Sequence, residues 1–209
     1  MDLWLWERIE TALREHCPRR IESDKASRAA VAMMLRDGSL GMELLFIERA
    51  EHPLDPWSGH MAFPGGRWDP QDVDCLATAI RETAEELNVD LNRSGRFLGA
   101  LDEIATIARP RGRDLVVAPY VSRLDEPIHL SPSAEVRAVH WIALSRLSAE
   151  SNRATLERTF DGRRMASPSI RVDSRVIWGL TYRMYCCLEG MVRAAGPTRK
   201  SASSEEFAR

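Results

Sequence analysis

The stretch from Phe63 to Val89, FPGGRWDPQDVDCLATAIRETAEELNV, decides the reading of this chain. Its second half predicts a helix over Leu76 to Leu87. At about 100° per residue, Leu76, Ala79, Ile80, Thr83, Ala84 and Leu87 fall on one inward face. Glu82, Glu85 and Glu86 fall on roughly the opposite side, three and four residues apart, so their carboxylates are neighbours. Like charges at that spacing cost a few tenths of a kcal/mol per pair, on the order of thermal energy, and acids late in a helix oppose its macrodipole. Arg81 offsets part of this by pairing with Glu85, but one cation does not neutralise three anions. A hard divalent cation would, since Mg²⁺ takes carboxylates together with waters and a substrate phosphate. On the RExxEE cluster alone, a plain solvated glutamate face competes evenly with this metal-binding reading.

The residues upstream favour the metal. Gly65 and Gly66 after Pro64 allow a tight turn in which backbone approaches a ligand closely, and Asp69-Pro70 and Asp72 continue as a turn. The order of a glycine (Gly66), an acid six residues on (Asp72) and the cluster Arg81-Glu82-Thr83-Ala84-Glu85-Glu86 resembles the signature of the Nudix hydrolases. There are three departures. One extra residue separates Asp72 from Arg81, a spacing similar to the coenzyme A pyrophosphatase-like branch. Thr83 replaces an aliphatic residue and needs a partner for its hydroxyl, such as a carbonyl of the preceding turn. Asn88 stands where the family has glycine, and asparagine also tolerates a left-handed helix stop.

The resemblance implies an α/β fold, a Nudix-type α/β/α sandwich around a mixed β-sheet. It also implies a metal-dependent hydrolase that cleaves the diphosphate linkage of a nucleoside diphosphate derivative, with Mg²⁺ or Mn²⁺ held by Gly66, Glu82, Glu85 and Glu86. Arg81 would orient the glutamates, and Glu82, Glu86 and Glu135 all qualify as the base. Glu135 is the acid of a segment of the form E-V-x-x-x-x-W, just before a strand, where the family often places an acid that reaches the metal. Arg49, Gly65, Arg67 and Arg111 are the expected substrate contacts, Arg111 in the basic loop RPRGR, where a solvated loop is the competing reading. Leu45, Arg49, Gly59 and Phe63 to Gly66 match part of the coenzyme A branch segment. Ala50, Ile47 and Asp55 depart from it. Coenzyme A or an acyl-CoA is therefore one candidate substrate and an ADP-ribose or NADH-type dinucleotide another. A non-catalytic nucleotide sensor on the same fold, or an interaction protein using its tryptophan-rich start, are the other classes of reading.

Working outward, 209 residues with 44% hydrophobic content and a formal net charge of −2 predict one globular domain. Interspersed charges with no basic stripe argue against a nucleic-acid partner. Four cysteines without metal-ligand pairing fit a reducing, cytoplasmic setting. No run is long enough for a membrane span. A homodimer is compatible with the sequence. Residues 1–20 predict an amphipathic helix burying Leu5, Trp6, Ile9, Ala12 and Leu13. Its acids disfavour a signal peptide or membrane docking. Residues 21–196 form the expected hydrolase domain and 197–209 a disordered tail.

Within the domain, Arg28 to Leu35 and Met42 to Arg49 predict a hairpin turning at Asp37-Gly38. Trp57, Met61 and Phe63 read as loop anchors. Arg96 to Ile107 and Asp114 to Val121 predict strands, Pro119 implying an edge or a bulge. Val136 to Ala143 predicts a strand turning helical at Leu144, and Arg153 to Met165 a hairpin at Asp161-Gly162. The run from Asp173, read as an N-cap, to Gly196 predicts a helix with Val176, Leu180, Met184, Cys187 and Met191 inward.

Overall fold

The computed structural model describes residues 3–52, 57–108, 113–160 and 163–195. In chain order these form α1 (Leu3–Glu15), β1 (Ser27–Gly38), β2 (Gly41–Arg49), β3 (Met61–Ala62), β4 (Gly65–Arg67), α2 (Cys75–Leu87), α3 (Leu91–Ser94), β5 (Gly95–Ala100) and β6 (Ile104–Ala108). There follow β7 (Arg113–Leu124), β8 (Val136–Ala143), α4 (Leu144–Ser148), β9 (Arg153–Phe160), β10 (Arg163–Val172), β11 (Arg175–Trp178) and α5 (Gly179–Ala194).

A mixed sheet runs β3-β2-β1-β7-β5, with β4 on β1, β6 on β7 and β8 on β2. Its centre is the parallel pair β1 and β7, in register from Ser27 opposite Leu115 to Leu35 opposite Arg123. Alternation along β1 divides the core. Ala30, Ala32 and Met34 face α2 through Ala79 and Leu87, while Met33 and Leu35 face the layer that holds α1 and α5, through Trp6, Ile9, Met184 and Leu188. This is the expected α/β/α sandwich. A second sheet, β11-β10-β9, packs with α5 on the side away from α2.

The site is positioned by a change of partner along one edge of β1. Leu35 to Gly38 pair with β2, whereas Ala29 to Val31 pair with Arg67 to Gly65 of β4. Where β2 leaves this edge, the Pro-Gly-Gly segment takes it over, tied by Ala32 N–H to the Pro64 carbonyl (2.8 Å) and Trp68 N–H to the Arg28 carbonyl (3.0 Å). The glycines are thereby laid under α2.

The N-terminal helix buries Trp6, Ile9, Ala12 and Leu13 as its periodicity predicts. Trp6 Nε1 donates to Asp37 Oδ1 (3.0 Å) and Arg123 stacks on its ring at 4.0 Å, so α1 is docked onto the domain. Phe63 stacks on Phe46 with ring centroids 4.8 Å apart, and Met61 is buried beside it.

Several expectations are corrected. The first hairpin pairs Gly38 with Gly41, so its turn is Ser39-Leu40, because β1 continues through Asp37, which Trp6 holds. Arg96 to Ile107 is two strands broken at Leu101 to Glu103. There the Leu101 N–H reaches the Pro119 carbonyl (3.0 Å), and buried Glu103 takes the Ile21 N–H (2.6 Å) and the Arg28 guanidinium. That break lies opposite Pro119, which explains a proline in a central strand rather than an edge one: the missing N–H falls where the neighbouring ladder is interrupted. The C-terminal helix begins at Gly179. Val176 lies in β11, and Asp173 sits at φ 54° in the turn before it instead of capping a helix. The buried stripe of α5 is Thr181, Met184, Tyr185 and Leu188, and Cys187 is exposed. Trp57 is 42% exposed and lies outside the buried core. The Arg153 to Met165 hairpin forms as expected. Its Asp161-Gly162 turn, the Arg109 to Gly112 loop with Arg111, residues 53–56 and the tail lie outside the described residues.

Candidate active site

Helix α2 is fixed at both ends by its sequence. Asp74 caps the start by accepting from Ala77 N–H (2.8 Å), and Asn88 ends it in the left-handed region at φ 56°, ψ 39° with its N–H on the Ala84 carbonyl. Inside, Thr83 Oγ1 donates to the Ala79 carbonyl (2.7 Å), the partner its burial demands. Two further carbonyls of the last turn are capped by the loop before β8: Ser133 N–H on Glu86 (2.8 Å) and Ser131 N–H on Leu87 (3.0 Å). The helical face is rotated from the expected one, with Ala84 exposed and Glu86 buried at 4% exposure.

That burial is the central electrostatic fact. Glu86 Oε2 accepts the Gly65 N–H (2.9 Å), and desolvation pushes its carboxyl up to about 7; the Gly65 bond and Arg49 oppose this, and Glu82 and Glu135 reinforce it. Burial also raises Glu82, against the pull of Arg81. Glu82 lies over Gly66, where an added Cβ would fall inside the Glu82 carboxyl group. At Gly65 a Cβ would instead strike the β1 backbone at Ala30 and Val31. The two glycines therefore predict different losses. Gly65→Ala should destabilise the fold by on the order of 3 kcal/mol, because backbone must move. Gly66→Ala should unfold within about 1 kcal/mol of the parent, since a flexible side chain can swing away, yet carry a displaced Glu82. Urea titration of both proteins, with turnover measured alongside, separates these outcomes.

Arg81 organises the outer part of the site. Its guanidinium donates to both oxygens of Asp72 (Nε to Oδ1 3.0 Å, Nη2 to Oδ2 3.0 Å), to Glu82 Oε1 (2.9 Å), to Glu85 Oε2 (3.1 Å) and to the Arg67 carbonyl (3.1 Å). The Arg81 fork holds the Asp72 carboxyl far below the usual carboxylate range, helped by Asp69 N–H and the Thr78 hydroxyl. Asp72 was legible only as a motif position; its service as the anchor of Arg81 needed the turn geometry.

The expected site residues therefore divide. Glu82, Glu86, Gly65 and Gly66 are brought together. Glu85 stays on the rim, its side chain 60% exposed and tied to Arg81. Glu135 is exposed, its carbonyl accepting Ala50 N–H (2.8 Å), close enough to raise both inner glutamates. Arg49 acts on Glu86 from β2, and exposed Arg67 contributes its carbonyl to Arg81. Among the described residues, no three His, Cys, Asp or Glu side chains already form a closed metal cage. The donor chemistry nonetheless fits a hard divalent cation. Two carboxylates that burial and mutual repulsion make reluctant to ionise sit beside a glycine turn with backbone oxygens, and a cation relieves both penalties.

Residues 26–161 match the family model described as the NUDIX domain. The chain belongs to the NUDIX domain family. An uncharacterized protein of Schizosaccharomyces pombe is 37% identical over 44% of this chain and 33% of its own length. An uncharacterized Nudix hydrolase of Photorhabdus laumondii is 30% identical over 66% of this chain and 71% of its own. A peroxisomal coenzyme A diphosphatase of Mus musculus is 32% identical over 59% and 49%. The chain thus spans a third to under three quarters of the length of these relatives. Among its described residues no helix is long and apolar enough to cross a membrane.

Proposed function

We propose that the protein is a Nudix-type pyrophosphohydrolase that cleaves the diphosphate linkage of a nucleoside diphosphate derivative, using Mg²⁺ or Mn²⁺. The observation that carries this is Glu86: a carboxylate buried against a glycine turn, with Glu82 beside it, is costly unless a cation completes the site. Glu82, Glu86 and the Gly66 carbonyl would hold the ion, with Glu85 at its outer edge. Bound there, it supplies charge neutralisation for the diphosphate and a water of lowered pKa.

The chain's own residues do the rest. Gly65 N–H fixes one Glu86 oxygen and leaves the other for the site. Arg81 restrains Glu82 and Glu85 and touches no reacting atom, so it is a positioning residue. Glu135, exposed and near both inner glutamates, takes a proton from the attacking water and releases it to solvent. Glu135→Gln should lower kcat about tenfold to a hundredfold without changing the metal concentration for half-maximal rate. An unchanged kcat would take the base role from it.

For the substrate, the likeness to a coenzyme A diphosphatase and the partial branch segment around Phe63 to Gly66 support coenzyme A or an acyl-CoA over ADP-ribose or NADH. The test is product analysis of the purified protein with Mg²⁺ or Mn²⁺ against coenzyme A, ADP-ribose, NADH and nucleoside triphosphates. Phosphopantetheine and an adenosine bisphosphate from coenzyme A are the expected products. Cleavage of another compound reassigns the substrate and keeps the chemistry. Binding without any product removes the hydrolase reading.

A further inference from the structure

A cavity of about 460 Å³ opens on the sheet face away from α2, where the second sheet meets the ends of β2 and β8. Glu48, His60, Arg137, Arg158, Arg175 and Trp178 line it. Its size lies within the range of small-molecule sites, roughly 300 to 1,000 Å³. Arg175 and Trp178 come from β11, beyond the segment that matches the NUDIX domain, so this wall is built by the chain's C-terminal region.

Three guanidinium groups face one carboxylate here. Glu48 is engaged by Arg137 (3.1 Å) and by His140 (3.3 Å). Arg175 reaches Asp173 only at 3.6 Å, and that acid is held more closely by Arg146 (2.6 Å). Arg158 pairs with no carboxylate among the described residues. Its guanidinium lies 4.4 Å over the Trp178 ring, with Nη1 3.3 Å from His60 Nε2, and His60 meets Trp178 edge-on at 5.1 Å. The aromatic pair thus holds a cation in position without neutralising it. A planar fork fixed in this way suits the oxygens of a phosphate, which also supplies the negative charge the cavity lacks.

We propose that this cavity binds the phosphate of a phosphomonoester-bearing small molecule, at a site separate from the acidic helix. The two sites are joined through the strand ends. Glu48 precedes Arg49, Arg137 follows Glu135 by two residues, Arg49 N–H bonds the His60 carbonyl (3.1 Å) and Ala50 N–H bonds that of Glu135 (2.8 Å). Occupancy of one face therefore bears directly on the backbone that positions Glu135 on the other. The phosphate belongs either to a separate ligand or to a remote part of the hydrolysed compound; the second source rests on the function proposed above.

The test begins with the full chain in chelator, where the unneutralised acids repel anions and leave the arginine cavity as the phosphate site. Inorganic phosphate is titrated into the parent, Glu86→Gln and the double variant Arg158→Gln/Arg175→Gln. Saturable binding in the first two, weakened about tenfold or more in the third, is the expected result. Equal affinity in all three, or no saturable binding to the parent, overturns the proposal. Arg158→Lys keeps the charge and loses the fork. Its binding falls below the parent's if the geometry matters, and it serves as the second variant should the double one fail to fold.

The source follows from KM for coenzyme A against dephospho-coenzyme A, which differ by one phosphomonoester. A preference for the phosphorylated compound that disappears in Arg158→Gln assigns the group to the substrate. A preference that persists while phosphate binding is lost assigns it to a separate ligand. The phosphate titration needs no turnover, so it stands or falls apart from the hydrolase reading.

Discussion

Glu86→Gln is expected to lower kcat for a diphosphate substrate about a thousandfold, some 4 kcal/mol of transition-state stabilisation, while the fold survives. Glutamine keeps the shape and the acceptor for Gly65 N–H, so the β4 to α2 contact persists. What it loses is the charge that draws a cation into the inner site. The same substitution should stabilise the metal-free protein. Burial raises the Glu86 carboxyl from its ordinary 4.5 to about 7, so the folded chain holds a proton there that the unfolded chain releases. For an acid shifted upward, the penalty is absent below about pH 4.5, grows as pH rises, and is complete above about pH 7. The shift corresponds to about 3 kcal/mol, part of which the glutamine amide returns through its own desolvation. Urea unfolding in chelator should therefore show the variant more stable at pH 8 and nearly level with the parent at pH 4.5. Added Mn²⁺ should then stabilise the parent and leave the variant unmoved. A variant less stable at every pH, or one that keeps its turnover, would remove Glu86 from the role assigned to it.

How much of this was legible beforehand differs between the helix and its surroundings. The positions of Asn88 and Thr83 carry local chemistry, a left-handed stop and a hydroxyl seeking a carbonyl, and both appear as the residues dictate. The depth of Glu86 was not legible. A helical wheel places it with Glu82 and Glu85 on a polar side. Only the glycine segment crossing from β1, and the Ser131 to Ser133 loop closing the last turn, bury it. These are long-range contacts with no periodic trace. The C-terminal error has a similar cause. Val176 and Ile177 continue a helical spacing on paper, but β-branched residues beside β10 pair as a strand, and the helix starts only at Gly179, whose φ is 64°. The arginine cavity was equally hidden, because its wall comes from residues more than 100 positions apart that carry no shared motif.

Arg81→Ala should cost both stability and catalysis, through different partners. Asp72, with its side chain 6% exposed, would keep the Asp69 N–H and Thr78 hydroxyl but lose its only cation partner among the described residues. Removing one member of such a pair leaves a buried charge uncompensated, and with Arg81 itself partly solvated the loss should be on the order of 2 kcal/mol at pH 7. The Asp72 carboxyl is held low in the folded protein. Its contribution is therefore present above the unfolded value of 3.8 and lost as pH falls toward the depressed folded value. The gap between parent and variant should narrow in unfolding curves taken below about pH 3.8. Catalysis should fall because Glu82 and Glu85 are released from the shared guanidinium, which would appear as a higher Mn²⁺ concentration for half-maximal rate. Arg81→Lys sharpens the assignment. An ammonium can satisfy Asp72 or the glutamates but not both oxygens of Asp72 together with Glu82, Glu85 and the Arg67 carbonyl. If the fork is what matters, lysine should recover most of the stability at pH 7 and little of the metal affinity. Equal recovery of both would mean that charge alone accounts for Arg81.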